Sequence, residues 1–278
     1  MILIIIFALL AVICTGIIVF ITGLAGAWTD FFAVILIALG LYAAFNILFV
    51  LYAFVLSLFI NNDRHIEKPL GYYSWHVAQV AQIICIYCRL RIHVSGEELL
   101  PRDTRFLFVS NHRSNFDPIV AMDKLRNYGI AFISKTENMS MPIVGKFVHL
   151  CCFLPIDREN ARNALETINT AADYIKNDVV SFGIYPEGTR SKAEDMLDFH
   201  PGSLKIAQKA GVPIVISSII GTEKVSKRFP RRTDVYLDIL EVIPAEEVRE
   251  SKTVELARRA KETIQNHIIQ EKAELKNG

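Results

Sequence analysis

The distribution of charge along the chain constrains its fold more than any single motif. Residues 1–60 carry one charged side chain, Asp30, whereas the following 218 residues carry 30 basic and 28 acidic ones. An uncharged apolar stretch of that length does not form an ordinary water-facing surface, so the chain divides into an apolar part and a part of soluble character. Met1 to Leu24 is uncharged and mostly apolar. As a helix it reaches about 36 Å, enough to cross a hydrocarbon core of about 30 Å. Phe31 to Ile60 is a second such run, with Asn46 its most polar member. Only Ala25-Gly-Ala-Trp-Thr-Asp30 separates the two runs, so the expected arrangement is a helical hairpin.

Both ends of a hairpin face the same side. Its turn has no Lys or Arg, while Arg64, Lys68, Arg89 and Arg91 follow the second run. The positive-inside rule then predicts an integral protein of the cytoplasmic membrane, its following domain in the cytoplasm and Trp28 at the opposite interface. Ala25-Gly-Ala27 also resembles a small-x-small cleavage site. The missing basic n-region and the second apolar run favour the hairpin over a signal peptide.

A hydrophobic content of 52% excludes low-complexity disorder. A formal net charge of +1 argues against nucleic acid as a partner. Five cysteines (Cys14, Cys85, Cys88, Cys151, Cys152) form no framework. The pair Cys85-x-x-Cys88 has no second pair to complete a metal site, so buried free thiols and no metal are expected.

Residues 61–90 read as a polar linker followed by an apolar helix over Tyr73–Leu90. From residue 91 to 278, strands and helices alternate. Strands are expected at Arg91–Val94, Phe106–Val109, Ile130–Ser134, Cys152–Pro155, Val179–Tyr185, Pro213–Ile219 and Val235–Val242. Helices are expected at Ile119–Arg126, Ala161–Lys176, Ser203–Ala210 and Val254–Glu274. That alternation predicts an α/β domain, a layered and mainly parallel sheet flanked by helices.

Three blocks carry chemistry, each just after an expected strand, where α/β sheets place their sites. The first is Asn111-His112-Arg-Ser-Asn-Phe-Asp117-Pro118. On one helix His112 and Asp117 would lie about 140° apart. They meet only if His112 sits in the turn and Asp117 near the helix start. Asp117-Pro118 reads as an N-cap and N1 pair. A His beside a carboxylate makes a general base held in one tautomer; a capping Asp beside a surface His is the other reading. The second block is Phe153-Leu-Pro-Ile156-Asp157-Arg158. The third is Tyr185-Pro-Glu187-Gly188-Thr189-Arg190. Arg158 and Arg190 each suit a phosphate, or a local ion pair in a turn.

In this order the blocks resemble the lysophosphatidic acid acyltransferase family, the 1-acyl-sn-glycerol-3-phosphate O-acyltransferases. The resemblance rests on Asn111-His112-x4-Asp117, on Ile156-Asp157-Arg158, on Pro186 through Ser191 and on Val212-Pro213-Ile214, and runs from about residue 91 to 243. Lys135, Pro142 and Gly145 agree as well. Tyr185 departs from it where the family usually has Phe, and so does Phe199-His200-Pro201-Gly202. The resemblance implies acyl transfer from a thioester, acyl-CoA or acyl carrier protein, to the sn-2 hydroxyl of lysophosphatidic acid in the membrane, giving phosphatidic acid with no cofactor. It implies His112 and Asp117 as the catalytic pair and Arg158, Glu187, Gly188, Thr189 and Arg190 as acceptor-binding residues, with Lys135 a further phosphate ligand. Glu187 would repel phosphate, so a hydroxyl or an arginine is its expected partner. Another lysophospholipid or lyso-aminolipid acceptor, a thioester or lipid hydrolase, and a non-catalytic acyl-carrier binder are the alternatives. The hydrolase lacks a Gly-x-Ser-x-Gly elbow.

The run from Lys224 to Arg232 holds five positive charges in nine residues. It suits anionic lipid, an acidic carrier protein or coenzyme A phosphates, or is a solvated loop. His65, His76, His93, His149 and His267 show no partner pattern, while His200 lies near the third block.

Overall fold

The computed structural model describes residues 2–24, 26–62, 66–157, 159–191 and 196–277, with side chains to residue 274. Ala25 of the small-x-small triplet, Arg64 of the positive flank and Arg158 of the second block lie outside the described residues. The chain forms two compact units, residues 1–63 and 64–278.

The first unit is a pair of helices, α1 (Ile2–Thr22) and α2 (Trp28–Leu58). Both are long and apolar enough to cross a membrane, with mean hydropathies of 3.3 and 2.6. The second helix starts earlier than Phe31, because Asp30 folds back. Its Oδ2 accepts from the Gly26 N–H at 2.9 Å and the Ala27 N–H at 2.8 Å. The one charge of this segment thus satisfies backbone donors at a helix start, where the macrodipole also favours an anion. Within the helices the polar side chains bond inward. Thr15 donates to the Ala11 carbonyl, Thr22 to Ile18, Asn46 to Tyr42 and Ser57 to Phe54. Self-satisfied polar groups are what a hydrocarbon surrounding demands. Phe7 packs on Phe45 and Phe49, with ring centroids 6.3 and 6.0 Å apart.

The second unit begins with α3 (Gly71–Tyr87) and β1 (Leu90–Ser95). β2 (Leu107–Ser110), α4 (Phe116–Lys124) and β3 (Ile130–Lys135) follow, then the short α5 (Thr136–Met139) and α6 (Val144–His149). Next come β4 (Leu154–Ile156), α7 (Ala161–Lys176), β5 (Ser181–Ile184), α8 (Pro201–Ala210) and β6 (Ile214–Ile220). The chain closes with α9 (Val225–Arg228), β7 (Thr233–Ile243), α10 (Ala245–Glu250) and α11 (Thr253–Asn277). The seven strands form one sheet in the order β1-β7-β6-β2-β5-β3-β4. β6, β2, β5, β3 and β4 run parallel; β7 is antiparallel to β6, and β1 is parallel to β7. The domain is therefore the expected layered α/β fold with a mainly parallel sheet.

The central strands β2, β5 and β6 are buried along their whole length, as parallel strands covered on both faces must be. Their residues Leu107, Phe108, Phe182, Ile214 and Ile216 are fully inaccessible. Gly183 leaves the space that the Phe132 ring fills on the neighbouring strand: a Cβ there would lie 2.3 Å from a ring carbon. Gly183→Ala is accordingly expected to destabilise the domain by about 1–3 kcal/mol through overpacking, measured as a lower urea midpoint.

Topology sets up the site. The carboxyl ends of β6, β2, β5 and β3 lie side by side, about 4.8 Å from one strand to the next. The segments that leave those ends begin with Gly221-Thr222, Asn111-His112, Tyr185-Pro186-Glu187 and Thr136. Blocks separated by about 75 residues in sequence are thereby neighbours along one sheet edge.

Candidate active site

Ser110 ends β2, and the chain then turns rather than entering α4 directly. Asn111 anchors that turn. Its Nδ2 donates to the Ile219 carbonyl and its Oδ1 accepts from the Ile219 N–H, both at 2.8 Å. This two-point clamp ties the turn to β6, and Asn111 is completely buried. His112 follows, with 16% of its side chain exposed.

Asp117 lies in the first turn of α4, and its side chain reaches backward. The expectation of an N-cap is corrected here. A cap accepts from N–H groups two or three residues ahead, whereas Asp117 Oδ2 accepts from the N–H of Arg113 at 2.7 Å and of Ser114 at 2.8 Å. The same oxygen stands 2.9 Å from His112 Nδ1. The other oxygen accepts from the Thr222 hydroxyl, which leaves the end of β6. Asp117 is fully buried, and these four partners satisfy a carboxylate that burial would otherwise penalise. The structure thus brings His112 and Asp117 together in the geometry that needs a break between turn and helix. With Nδ1 on the carboxylate, Nε2 has no hydrogen-bond partner among the described residues.

The third block supports this turn from β5. Tyr185 stacks on the His112 ring, with centroids 4.4 Å apart and planes 21° from parallel. Phe132 stacks behind Tyr185 at 5.9 Å. The Tyr185 hydroxyl is buried without a hydrogen-bond partner among the described residues; burial, with Asp117 nearby, holds its pKa well above the usual tyrosine range.

Among the described residues Glu187 is held by backbone N–H groups. Its Oε1 accepts from the His112 N–H at 2.6 Å and its Oε2 from the Leu197 N–H at 3.2 Å. It is a buried strut between two loops, and the Ser191 N–H completes the tie by donating to the His112 carbonyl at 2.8 Å. Burial raises the Glu187 pKa, against the opposing pull of the His112 and Leu197 N–H bonds. Between its ordinary and its raised pKa the folded state binds the extra proton, so this group's contribution to stability falls as pH rises through that window. Glu187→Gln is expected to remove that slope, read as the difference between the two proteins' urea midpoints across mildly acidic pH.

Gly188 has φ of +71°, and a Cβ there would lie 3.0 Å from the His200 ring. The position needs glycine on both counts. His200 also caps the loop, its N–H donating to the Pro186 carbonyl at 2.9 Å. Thr189 and Arg190 are exposed. Lys135 ends β3 and is exposed, its Nζ 2.5 Å from Glu137 Oε1. Arg158 lies outside the described residues, as noted. Sequence reasoning missed Thr222 and gave Asn111 no role; a polar residue directly after Gly221 at a strand end was the only local signal for Thr222.

Other polar groups pair away from the site. His93 meets Asp234 at 3.0 Å and His267 meets Asp238 at 3.1 Å. Cys85, Cys151 and Cys152 are buried free thiols, and burial pushes them up to about 12, 11 and 12.

A histidine locked by a buried carboxylate thus stands at the carboxyl edge of a parallel sheet, beside a Pro-Glu-Gly-Thr-Arg loop. Residues 91–219 match the family model described as Acyltransferase. The chloroplastic 1-acyl-sn-glycerol-3-phosphate acyltransferase of Brassica napus is 32% identical over 164 residues, 59% of this chain and 46% of that protein. The enzyme of the same name from Salmonella typhimurium is 30% identical over 144 residues, 52% of this chain and 58% of that protein. The chain spans about half the length of the curated relatives it matches. In structure it resembles the 1-acyl-sn-glycerophosphate (LPA) acyltransferase of Thermotoga maritima, with a TM-score of 0.63 and 24% identity over 81% of this chain and 89% of that one. That likeness shows the fold. Over this region the chain is similar to 1-acyl-sn-glycerol-3-phosphate acyltransferases.

Proposed function

We propose that this chain is a membrane-associated enzyme that transfers an acyl group from a thioester to the sn-2 hydroxyl of lysophosphatidic acid, forming phosphatidic acid. The observation that carries the reading is the His112–Asp117 pair, with Nδ1 on the carboxylate at 2.9 Å and Nε2 left for a substrate. A thioester is already activated, so the step needs a base for the acceptor hydroxyl rather than an enzyme nucleophile. His112 Nε2 takes that proton as the hydroxyl oxygen attacks the thioester carbon. Asp117 fixes the ring and stabilises its charged form. Collapse of the intermediate expels the thiolate, which takes the proton back from His112.

Arg190 and Arg158 serve as anchors for the acceptor phosphate, because guanidinium matches phosphate in two bonds; Lys135 adds a point charge at the same edge. Thr189 and Gly188 bring the loop backbone close to the acceptor. Glu187 belongs to this reading as a positioning residue, since its oxygens are engaged by His112 and Leu197. The donor is acyl-CoA or an acyl carrier protein thioester.

An acceptor panel tests the substrate class. The full chain in detergent, given one thioester with lysophosphatidic acid, lysophosphatidylcholine or a lyso-aminolipid, should acylate only the phosphomonoester at low acceptor concentration. Equal rates with the choline lipid would remove lysophosphatidic acid from the reading.

A further inference from the structure

The connection from β6 to β7 holds Lys224, Lys227, Arg228, Arg231 and Arg232, all exposed. Phe229 stands among them with 59% of its surface exposed. The two acids nearby are engaged locally. Glu223 Oε2 accepts from the Gly221 N–H at 3.2 Å, and Asp234 lies 3.0 Å from His93 and 3.9 Å from Arg91. The cationic excess therefore faces solvent.

Strand directions decide where this patch lies. β7 is antiparallel to β6, with Ile220 opposite Tyr236, so β7 starts beside the carboxyl end of β6. β1 runs with β7, with Leu90 opposite Thr233 and Arg91 opposite Asp234. The end of α3 and the start of β1 thus share that edge, adding exposed Arg89 and Arg91 and the apolar surfaces of Ile86 (37% exposed) and Tyr87 (45%). The same edge carries the catalytic pair: Thr222, at the start of the connection, donates to Asp117. From β1 to β2 is three strand spacings, about 14 Å.

We propose that the β6–β7 connection, with the end of α3, is a docking surface for an anionic phospholipid bilayer. Seven cations around exposed aromatic and aliphatic side chains match such a surface in both respects: phosphate charge outside and apolar depth for Phe229, Ile86 and Tyr87. An acidic protein or a free nucleotide phosphate accounts for the charge but offers no apolar layer for those side chains. The surface binds lipid whether or not the reaction is the one read above; only its value to catalysis rests on that reading, because it turns the His112 edge toward the leaflet that holds the acceptor.

Hydrogen exchange of the full chain in nanodiscs tests this directly. With 30 mol% phosphatidylglycerol, residues 224–232 are expected to exchange at least about tenfold more slowly than in pure phosphatidylcholine, and the difference should vanish in Lys227→Glu/Arg228→Glu/Arg231→Glu. Equal exchange in the two lipids would overturn the proposal. So would protection of the same residues by coenzyme A or carrier protein alone, in detergent. Activity supplies a second reading: the triple variant should lose rate on anionic discs and keep it in nonionic micelles. An equal loss in micelles assigns the charges to the donor and overturns bilayer docking. Absence of any acyl transfer would sink the proposed reaction while leaving the exchange result to decide the surface.

Discussion

Replacing His112 with Ala is expected to lower kcat for acyl transfer by about 10²–10⁴-fold, the range a positioned general base supplies. The fold should hardly notice. His112 is only one of four partners of Asp117, and the N–H groups of Arg113 and Ser114 and the Thr222 hydroxyl keep that carboxylate satisfied without it. The lost stack on Tyr185 is worth about 0.5–1.5 kcal/mol. Thermal unfolding and kinetics measured on one preparation separate the two effects. A large loss of stability with little loss of rate would make His112 a packing residue and leave the base unidentified.

Asp117→Ala should behave differently. It removes the carboxylate from four donors at once, in a position with no access to solvent. Breaking a buried charged network of this kind costs about 3–5 kcal/mol. For a unit of this size that lowers Tm by about 6–20 °C. Activity falls by at least about 10²-fold as well, because the imidazole loses both its orientation and the charge that stabilises its protonated form. Asp117→Asn divides the roles. It keeps the volume and one acceptor oxygen, so it should recover part of the stability while leaving activity near that of the Ala variant. Recovery of full activity with Asn would show that Asp117 acts only as a structural tie.

Much of this was legible because local chemistry sets it. The helix over 161–176 emerges with the expected bounds: Asn160 caps its start, accepting from the N–H groups of Arg162 and Asn163, and Asp178 ends it in a left-handed turn. The near-absence of charge over residues 1–60, with Asp30 alone, likewise announced two apolar helices. Strand direction was not legible. β6 is apolar and buried like its parallel neighbours, and the segment connecting it to β7 is long enough for either orientation, so the antiparallel pair had no local signature. The short helices α5, α6, α9 and α10 are too brief to print a helical period.

The site divides in the same way. That His112 and Asp117 must straddle a turn followed from their spacing, yet Asp117 looked like a cap because Asp-Pro at a helix start usually is one. Its true partners include Thr222, which is 105 residues away. Glu187 is held among the described residues by backbone N–H groups, which no side-chain pattern reveals. His93 and His267 find their aspartates only through sheet register and the packing of α11 on it.

The most direct test of acceptor-driven transfer counts two products in one reaction. The full chain is given an acyl thioester with and without lysophosphatidic acid, and free thiol and phosphatidic acid are measured together. A base that activates the acceptor hydroxyl predicts equal amounts of both, rising only when acceptor is present and falling together in His112→Ala. Thiol released without acceptor, or an acyl group found on the protein itself, would contradict it.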